Sequence, residues 1–182
     1  MKRTRRAIFG SLSVVALALG SCTTRRPAPP TAPVVVIPPT APPVARAASP
    51  AEYVATAASI DLFVVRACEM ALARSGDGRI RSLATRLADE HRGLAGQLSM
   101  AGRWLDTLPT ARLRPREQQR LARLEAQEPF DAAFVRQLRI VHGQSLALHS
   151  AFAARGSSPT LRPVAANGAR VERGHLALLG SR

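Results

Sequence analysis

Apolar residues recur at intervals of three and four positions along most of the chain after residue 50, which is the period of an amphipathic helix. The clearest face carries Ile80, Leu83, Ala84, Leu87, His91, Leu94 and Leu98. Three more such faces are formed by Tyr53, Ala57, Ile60, Val64, Ala67 and Ala71; by Phe134, Leu138, Val141, Ser145, Leu148 and Phe152; and by Leu161, Val164, Ala165, Gly168, Val171, Glu172, His175 and Leu179. Sustained strand alternation is absent from the sequence, so the pattern predicts an all-α protein.

Polar and proline residues mark where these helices begin and end. Ser49-Pro50-Ala51-Glu52 has the form of a capping box, with Ser49 as N-cap and Glu52 placed to reach back to it. The first helix should end near Gly76, and Asp77 can cap the second. A short charged helix is predicted over residues 115–127. The sequence therefore predicts an up-down four-helix bundle with an extra short crossover helix.

The first residues have a different pattern, which is typical of an export signal. Four basic residues within positions 1–6 precede an apolar run over 7–20 that is too short to span a membrane. Leu19-Gly20-Ser21-Cys22 then resembles the lipobox of bacterial lipoproteins, in which the cysteine is acylated. We therefore predict a signal peptide over residues 1–21 and a lipid anchor on Cys22, with general secretion favoured over twin-arginine export.

A proline-rich stretch separates this anchor from the helices. Nine prolines fall between Pro27 and Pro50, which favours an extended chain without a core. Residues 22–50 are accordingly predicted to be a disordered tether, and residues 51–182 the folded domain. Because Thr23 is not the aspartate that retains lipoproteins at the inner membrane, we expect an outer-membrane protein that faces the periplasm. A proline-rich recognition site is the alternative role for the stretch.

Charge and aromatic content restrict the partners. The formal net charge is +14, but every basic residue except Lys2 is an arginine, which indicates a coding bias rather than a phosphate-binding patch. The aromatic residues are limited to Tyr53, Trp104 and five phenylalanines. These are too few to alternate with basic residues as they do in proteins that bind single-stranded nucleic acid. No nucleic-acid role is expected, whereas an envelope protein or an anionic surface remains a candidate partner. Cys68 is the only cysteine in the domain, so no disulfide can form within it.

The histidines are the only residues whose arrangement suggests chemistry. All four, His91, His142, His149 and His175, fall on or beside inward faces of three helices. Glu172 and His175 have the Glu-x-x-His spacing that places both on one face. The predicted metal ligands are His91, His142, His175 and Glu172, with His149 peripheral. Because a core histidine is usually structural, polar core packing is the favoured interpretation and a metal site the alternative.

Other chemistry lacks its motifs. A ferritin-type di-iron site needs two Glu-x-x-His pairs and two further glutamates, and this chain has one such pair. The sequence also has no nucleophile elbow, phosphate loop, dinucleotide fingerprint or paired Cys-x-x-Cys. An enzyme is therefore not the favoured interpretation.

The order of several short motifs resembles the bacterial family called domain of unknown function 4142. The matching pieces are Ala58-Ser59-Ile60-Asp61-Leu62-Phe63, Arg81-Ser82-Leu83-Ala84 with Glu90-His91, Phe130-Asp131-Ala132-Ala133-Phe134, His142 and His175-Leu176. The resemblance implies a ferritin-like bundle and an outer-membrane location. It departs at Val64, where the family has a glutamate, at Glu90, where it has aspartate, and at Phe134, where it has tyrosine. The loss of a glutamate at Val64 weakens any metal site that the resemblance implies.

Two hypotheses follow. The first is an envelope-anchored lipoprotein whose helical domain has a structural or interaction role and whose histidines pack the core. The alternative is a ferritin-like metal-binding protein that uses the inward histidines. Imidazole ligands suit Zn, Cu or Ni better than Mg or Ca, so a transition metal such as Zn or Cu is the candidate cofactor.

Overall fold

The structure is a computed structural model that describes residues 48–180. Within this range the chain forms five α-helices. They are α1 (Pro50–Arg74), α2 (Gly78–Arg103), α3 (Pro115–Glu125), α4 (Phe130–Arg155) and α5 (Leu161–Gly180). The predicted all-α fold is confirmed for these residues. None of these five helices is both long and apolar enough to cross a membrane. The predicted signal peptide, Cys22 and most of the tether lie outside the described residues.

Two of the predicted helix caps are present. Ser49 Oγ accepts a hydrogen bond from the backbone N–H of Glu52 at 3.2 Å, and Asp77 Oδ1 accepts one from Arg79 N–H at 2.7 Å. The prediction that Glu52 reaches back to Ser49 was wrong, because the Glu52 carboxylate pairs with Arg114 at 2.7 Å instead. That contact ties the start of α1 to the chain just before α3.

The ends of α1 and α3 lie close to the predicted positions. The first helix ends at Arg74, near Gly76 as predicted, and Ser75 Oγ just beyond it accepts a hydrogen bond from Asp77 N–H at 3.1 Å. The crossover helix α3 ends at Glu125 rather than at residue 127. Arg74 donates hydrogen bonds to the carbonyl oxygens of Glu125 and Gln127, at 2.6 and 3.4 Å, so carbonyl groups at the end of α3 have a partner outside the helix.

Two apolar clusters build the core, one towards each end of the bundle. The first contains Phe63, Val64, Leu87, Leu138 and Leu179, all almost inaccessible to solvent. The second contains Tyr53, Leu98, Phe152, Leu161 and Ala165. On α2, α4 and α5, buried polar residues lie between the segments that supply the two clusters. The fold thus holds a polar layer between two apolar halves.

One close approach within this core generates a test. A Cβ atom at Gly168 would lie 2.7 Å from the His149 ring, whose Nδ1 is already held by the Tyr53 hydroxyl at 3.0 Å. Because the ring cannot move without losing that bond, we expect Gly168→Ala to lower the free energy of unfolding by about 1–3 kcal/mol in urea denaturation.

Gly174→Ala in the same helix is the matched control for Gly168→Ala. No atom lies within 4 Å of a Cβ built there, so the substitution should be neutral or stabilising by up to ~1 kcal/mol through helix propensity. Equal effects of the two substitutions would contradict the packing described around His149.

Candidate metal centre

Three helices supply the polar layer. His91 projects from α2, His142 from α4, and Glu172 and His175 from α5, where their spacing of three residues places them on one face. All four side chains are at most 1% exposed. The structure therefore brings together the four residues predicted as ligands.

These four side chains converge on a common point. Each offers one ligand atom, and the four atoms lie within 4.8 Å of one another. The three imidazole rings form a triangle, with centroids 5.2 Å apart for His91 and His142, 5.1 Å for His91 and His175, and 4.9 Å for His142 and His175. The Glu172 carboxylate completes the group, with Oε1 4.0 Å from His91 Nε2.

A carboxylate fixes the orientation of each imidazole ring. His91 Nδ1 lies 2.8 Å from Asp61 Oδ1, His142 Nδ1 lies 2.6 Å from Glu172 Oε2, and His175 Nε2 lies 2.6 Å from Glu90 Oε2. An ionised carboxylate only accepts hydrogen bonds, so in each pair the imidazole N–H is the donor. In the neutral ring the other nitrogen is then an electron-pair donor, which is the arrangement of metal-bound histidines with supporting carboxylates.

The remaining atom of each side chain has no hydrogen-bond partner. His91 Nε2, His142 Nε2, His175 Nδ1 and Glu172 Oε1 are all buried without one. A buried polar atom without a partner costs roughly 1–3 kcal/mol of stability. Four such atoms in one layer therefore mark a position that is suited to a bound cation.

Burial and charge set the protonation of this layer. Burial lowers the pKa of His142 to about 4, despite its contact with Glu172. Burial alone would raise the pKa of Glu172, but contacts with His142 and His175 hold that pKa well below its usual range. For His91, the hydrogen bond and charge of Asp61 outweigh burial and raise the pKa. The layer thus combines a neutral His142 with a carboxylate anion, and a proton competes for His91.

The dimensions of the group fit a small transition-metal ion after a modest contraction. Nitrogen and oxygen ligands bind Zn²⁺ at about 2.0–2.2 Å, so two ligands of one ion lie no more than ~4.4 Å apart. The widest separation, within 4.8 Å, exceeds that limit by only a few tenths of an ångström. Small side-chain movements can supply the difference, and three nitrogens with one oxygen are an accepted donor set for zinc and copper.

His149 lies outside this group, as the sequence suggested. Its ring accepts or donates one hydrogen bond with the Tyr53 hydroxyl at 3.0 Å and packs edge-on against that tyrosine. Burial lowers the pKa of His149, which favours the neutral ring. His149 therefore belongs to the core beside the polar layer rather than to the converging ligands.

Sequence reasoning missed two carboxylates, Asp61 and Glu90. On α1, a carboxylate was expected only at position 64, where Val64 packs in the apolar cluster. Asp61, one turn earlier on the same helix, contacts His91 instead. Asp61 is 2% exposed, although it lies beside the predicted stripe of α1. A single carboxylate within an otherwise apolar helix face was the signal that could have identified it. Glu90 was noted only for its family resemblance.

The comparisons with known proteins identify the family of the chain and a solved structure with a similar fold. Residues 37–180 match the family described as "Domain of unknown function (DUF4142)". The chain belongs to the DUF4142 family. No curated protein is significantly similar in sequence.

A solved structure also resembles this DUF4142 chain. It is described as "CopM in the Cu(II)-bound form", with a TM-score of 0.62 and 14% sequence identity. The similar region covers 74% of this chain and 95% of that one. At this identity the likeness shows a shared helical fold.

The pair formed by Asp61 and His91 can be tested in the metal-free chain. Because Asp61 raises the pKa of His91 through a hydrogen bond and through its charge, we expect Asp61→Asn to lower that pKa. Histidine NMR signals followed across a pH titration of chelator-treated protein would measure the change. Asp89→Asn, at an exposed carboxylate on the same helix as His91, is the control and should leave the titration unaltered. A His91 titration that is the same in wild type and Asp61→Asn would contradict the assignment.

Proposed function

We propose that the helical domain binds one divalent transition-metal ion, Cu(II) or Zn(II), through His91, His142, His175 and Glu172. The observation that carries the proposal is the convergence of four buried atoms without partners, one from each of these side chains. This convergence favours metal binding over the polar core packing that the sequence alone favoured.

Water accounts for the layer less well than a cation does. With the imidazoles neutral, all four inward atoms are electron-pair donors. One water molecule has two hydrogens and can satisfy two of them, whereas a metal ion accepts electron pairs from all four. The hydrogen bonds that the His91 and His175 N–H groups donate to Asp61 and Glu90 then make these two rings stronger ligands.

The donor set also selects the metal. Imidazole and carboxylate suit Cu(II), Zn(II) and Ni(II), whereas Cu(I) prefers thiolate and thioether. Cys68 packs in the apolar cluster, and burial raises the pKa of its thiol to about 12, so it offers no thiolate. The similar fold of CopM, whose solved structure is a Cu(II)-bound form, supports copper as one candidate.

Four protein ligands indicate binding rather than catalysis. Catalytic zinc sites keep one coordination position open for water or substrate, and closed sites with four protein ligands serve structure or storage. We infer a role in holding or buffering a metal ion. The chain would act in the bacterial envelope, anchored through Cys22 by a lipid and facing the periplasm, as the first fifty residues suggest.

An interaction role is the second candidate function. Trp104 is 84% exposed at the end of α2, and Met100, one turn earlier, is 67% exposed. A tryptophan at the surface is enriched where proteins meet other proteins or membranes. An envelope partner or anionic surface could be bound here, with the metal layer then serving only stability.

Metal content and thermal melting separate these two roles. The chain purified without chelators or a histidine tag should carry close to one metal ion, measured by elemental mass spectrometry. Free Cu(II) or Zn(II) at about 100 times its dissociation constant should stabilise the metal-free protein by ~2.7 kcal/mol. His175→Ala should lower the metal content and reduce the stabilisation, because it removes one of the four ligands.

His149→Ala is the matched control, since it removes a buried histidine outside the converging group. It should lower the melting temperature while retaining the metal. Loss of stability in both variants, with no metal in the wild type, would contradict metal binding and leave the interaction role.

A further inference from the structure

We infer that the metal ion enters and leaves the buried centre through a cleft between α2 and α5, where Glu90 is the outermost ligand-contacting group and Arg86 competes with the metal for it. This inference rests on the proposed metal-binding function. It adds the route and the residue pair that govern exchange at that centre.

The polar layer reaches the surface at Glu90. Its side chain is 36% exposed, whereas the side chains of Asp61 and His175 are 3% and 1% exposed. Because Glu90 Oε2 lies 2.6 Å from His175 Nε2, it contacts solvent on one side and a metal ligand on the other. An incoming cation can bind this carboxylate before it reaches the buried atoms.

An open cleft leads to this carboxylate. It has a volume of about 410 Å³ and is lined by Arg86, Glu90, Gly93, Leu94, Asn167 and His175, among others. Two of the lining positions, Gly93 on α2 and Gly174 on α5, have no side chain and so widen the cleft. Further along the same seam, Asn167 Nδ2 donates to Gln97 Oε1 at 2.8 Å and links the two helices.

A second cleft, of about 250 Å³, approaches the layer from the α1 side and reaches Asp61. Its lining is mostly apolar, including Ala58, Leu62 and Ala95. Asp61 itself is 2% exposed. A cation that passes through an apolar cleft loses hydrating water molecules without gaining polar groups in their place, which is costly. The α2–α5 cleft, which presents the half-exposed Glu90 carboxylate to solvent, is therefore the favoured route.

Arg86 is placed to control this route. Its Nε lies 2.8 Å from Glu90 Oε1, one helical turn away on α2. Arginine stays protonated at all physiological pH values, so it repels an approaching cation and occupies the oxygen of Glu90 that does not contact His175. Metal entry requires that this ion pair open.

Plugging the cleft gives the direct test. Gly93→Leu adds a side chain to the lining, while Gly96→Leu adds the same side chain to an exposed position of α2 outside it. No atom lies within 4 Å of a Cβ at either glycine, so neither residue is sterically required. The two variants therefore differ in whether the added leucine side chain lies in the cleft or outside it.

The full chain, purified in detergent and stripped of metal, would be mixed with Zn²⁺ in a stopped-flow instrument, with a chromophoric chelator reporting the free ion. Excess chelator would then measure release. A plug that adds about 1.4 kcal/mol to the passage barrier slows both association and release ~10-fold. We expect this for Gly93→Leu, with an unchanged equilibrium constant, and wild-type rates for Gly96→Leu.

Arg86→Ala provides a second variant at an exposed side chain. It should speed zinc association a few-fold, because it frees Glu90 and removes a positive charge from the entrance. Arg103→Ala is the charge-matched control at the far end of the same helix, since Arg103 is exposed and lines neither of the two clefts. Equal acceleration by both would indicate a general charge effect and overturn the gating role of Arg86.

The outcomes distinguish the route from the function. Stoichiometric zinc in every variant with equal rates for Gly93→Leu and Gly96→Leu would overturn the route alone. Slower exchange in Ala95→Leu, which narrows the cleft beside Asp61, together with wild-type rates in Gly93→Leu, would also overturn it. A wild-type chain that binds no zinc or copper would overturn the proposed function and this inference together.

Discussion

The polar layer between the two apolar halves is the constraint on which the domain depends. Three imidazoles and one glutamate are buried there, and burial without partners would destabilise the bundle. Asp61 and Glu90 satisfy one nitrogen each of His91 and His175, and Glu172 satisfies one of His142. Each of the four residues keeps one inward electron-pair donor without a hydrogen-bond partner, and a single cation can bind all four.

The apolar clusters on either side give this point its rigidity. Phe63, Leu87 and Leu138 pack below the layer, and Tyr53, Leu98 and Phe152 pack at the opposite end. Tyr53 also stacks on Phe152, with ring centroids 4.0 Å apart, and bonds His149. Because the helices that carry the ligands are held at both ends, the ligand atoms can converge without bound metal. Exchange then depends on the cleft between α2 and α5.

Helix boundaries and most of the site followed from the sequence because they rest on local periodicity. His91 falls in the middle of the clearest stripe, and Glu172 with His175 has the spacing of one helix face. Periodicity could mark Asp61 as a carboxylate beside an apolar stripe but could not give its partner, since packing of α1 against α2 brings it to His91. Glu90 was likewise ambiguous, because a residue beside an inward histidine can face either solvent or the layer. Contacts between helices decide both cases.

The most direct test is X-ray absorption spectroscopy of the protein loaded with one equivalent of Zn(II) or Cu(II). The account requires a first shell of nitrogen and oxygen at about 2.0–2.2 Å, with the multiple scattering of three imidazole rings. His142→Ala should remove one imidazole from that signal, while His149→Ala should leave all three. A sulfur ligand, a shell of water oxygens without imidazole scattering, or the loss of an imidazole in His149→Ala would contradict a centre built from His91, His142, His175 and Glu172.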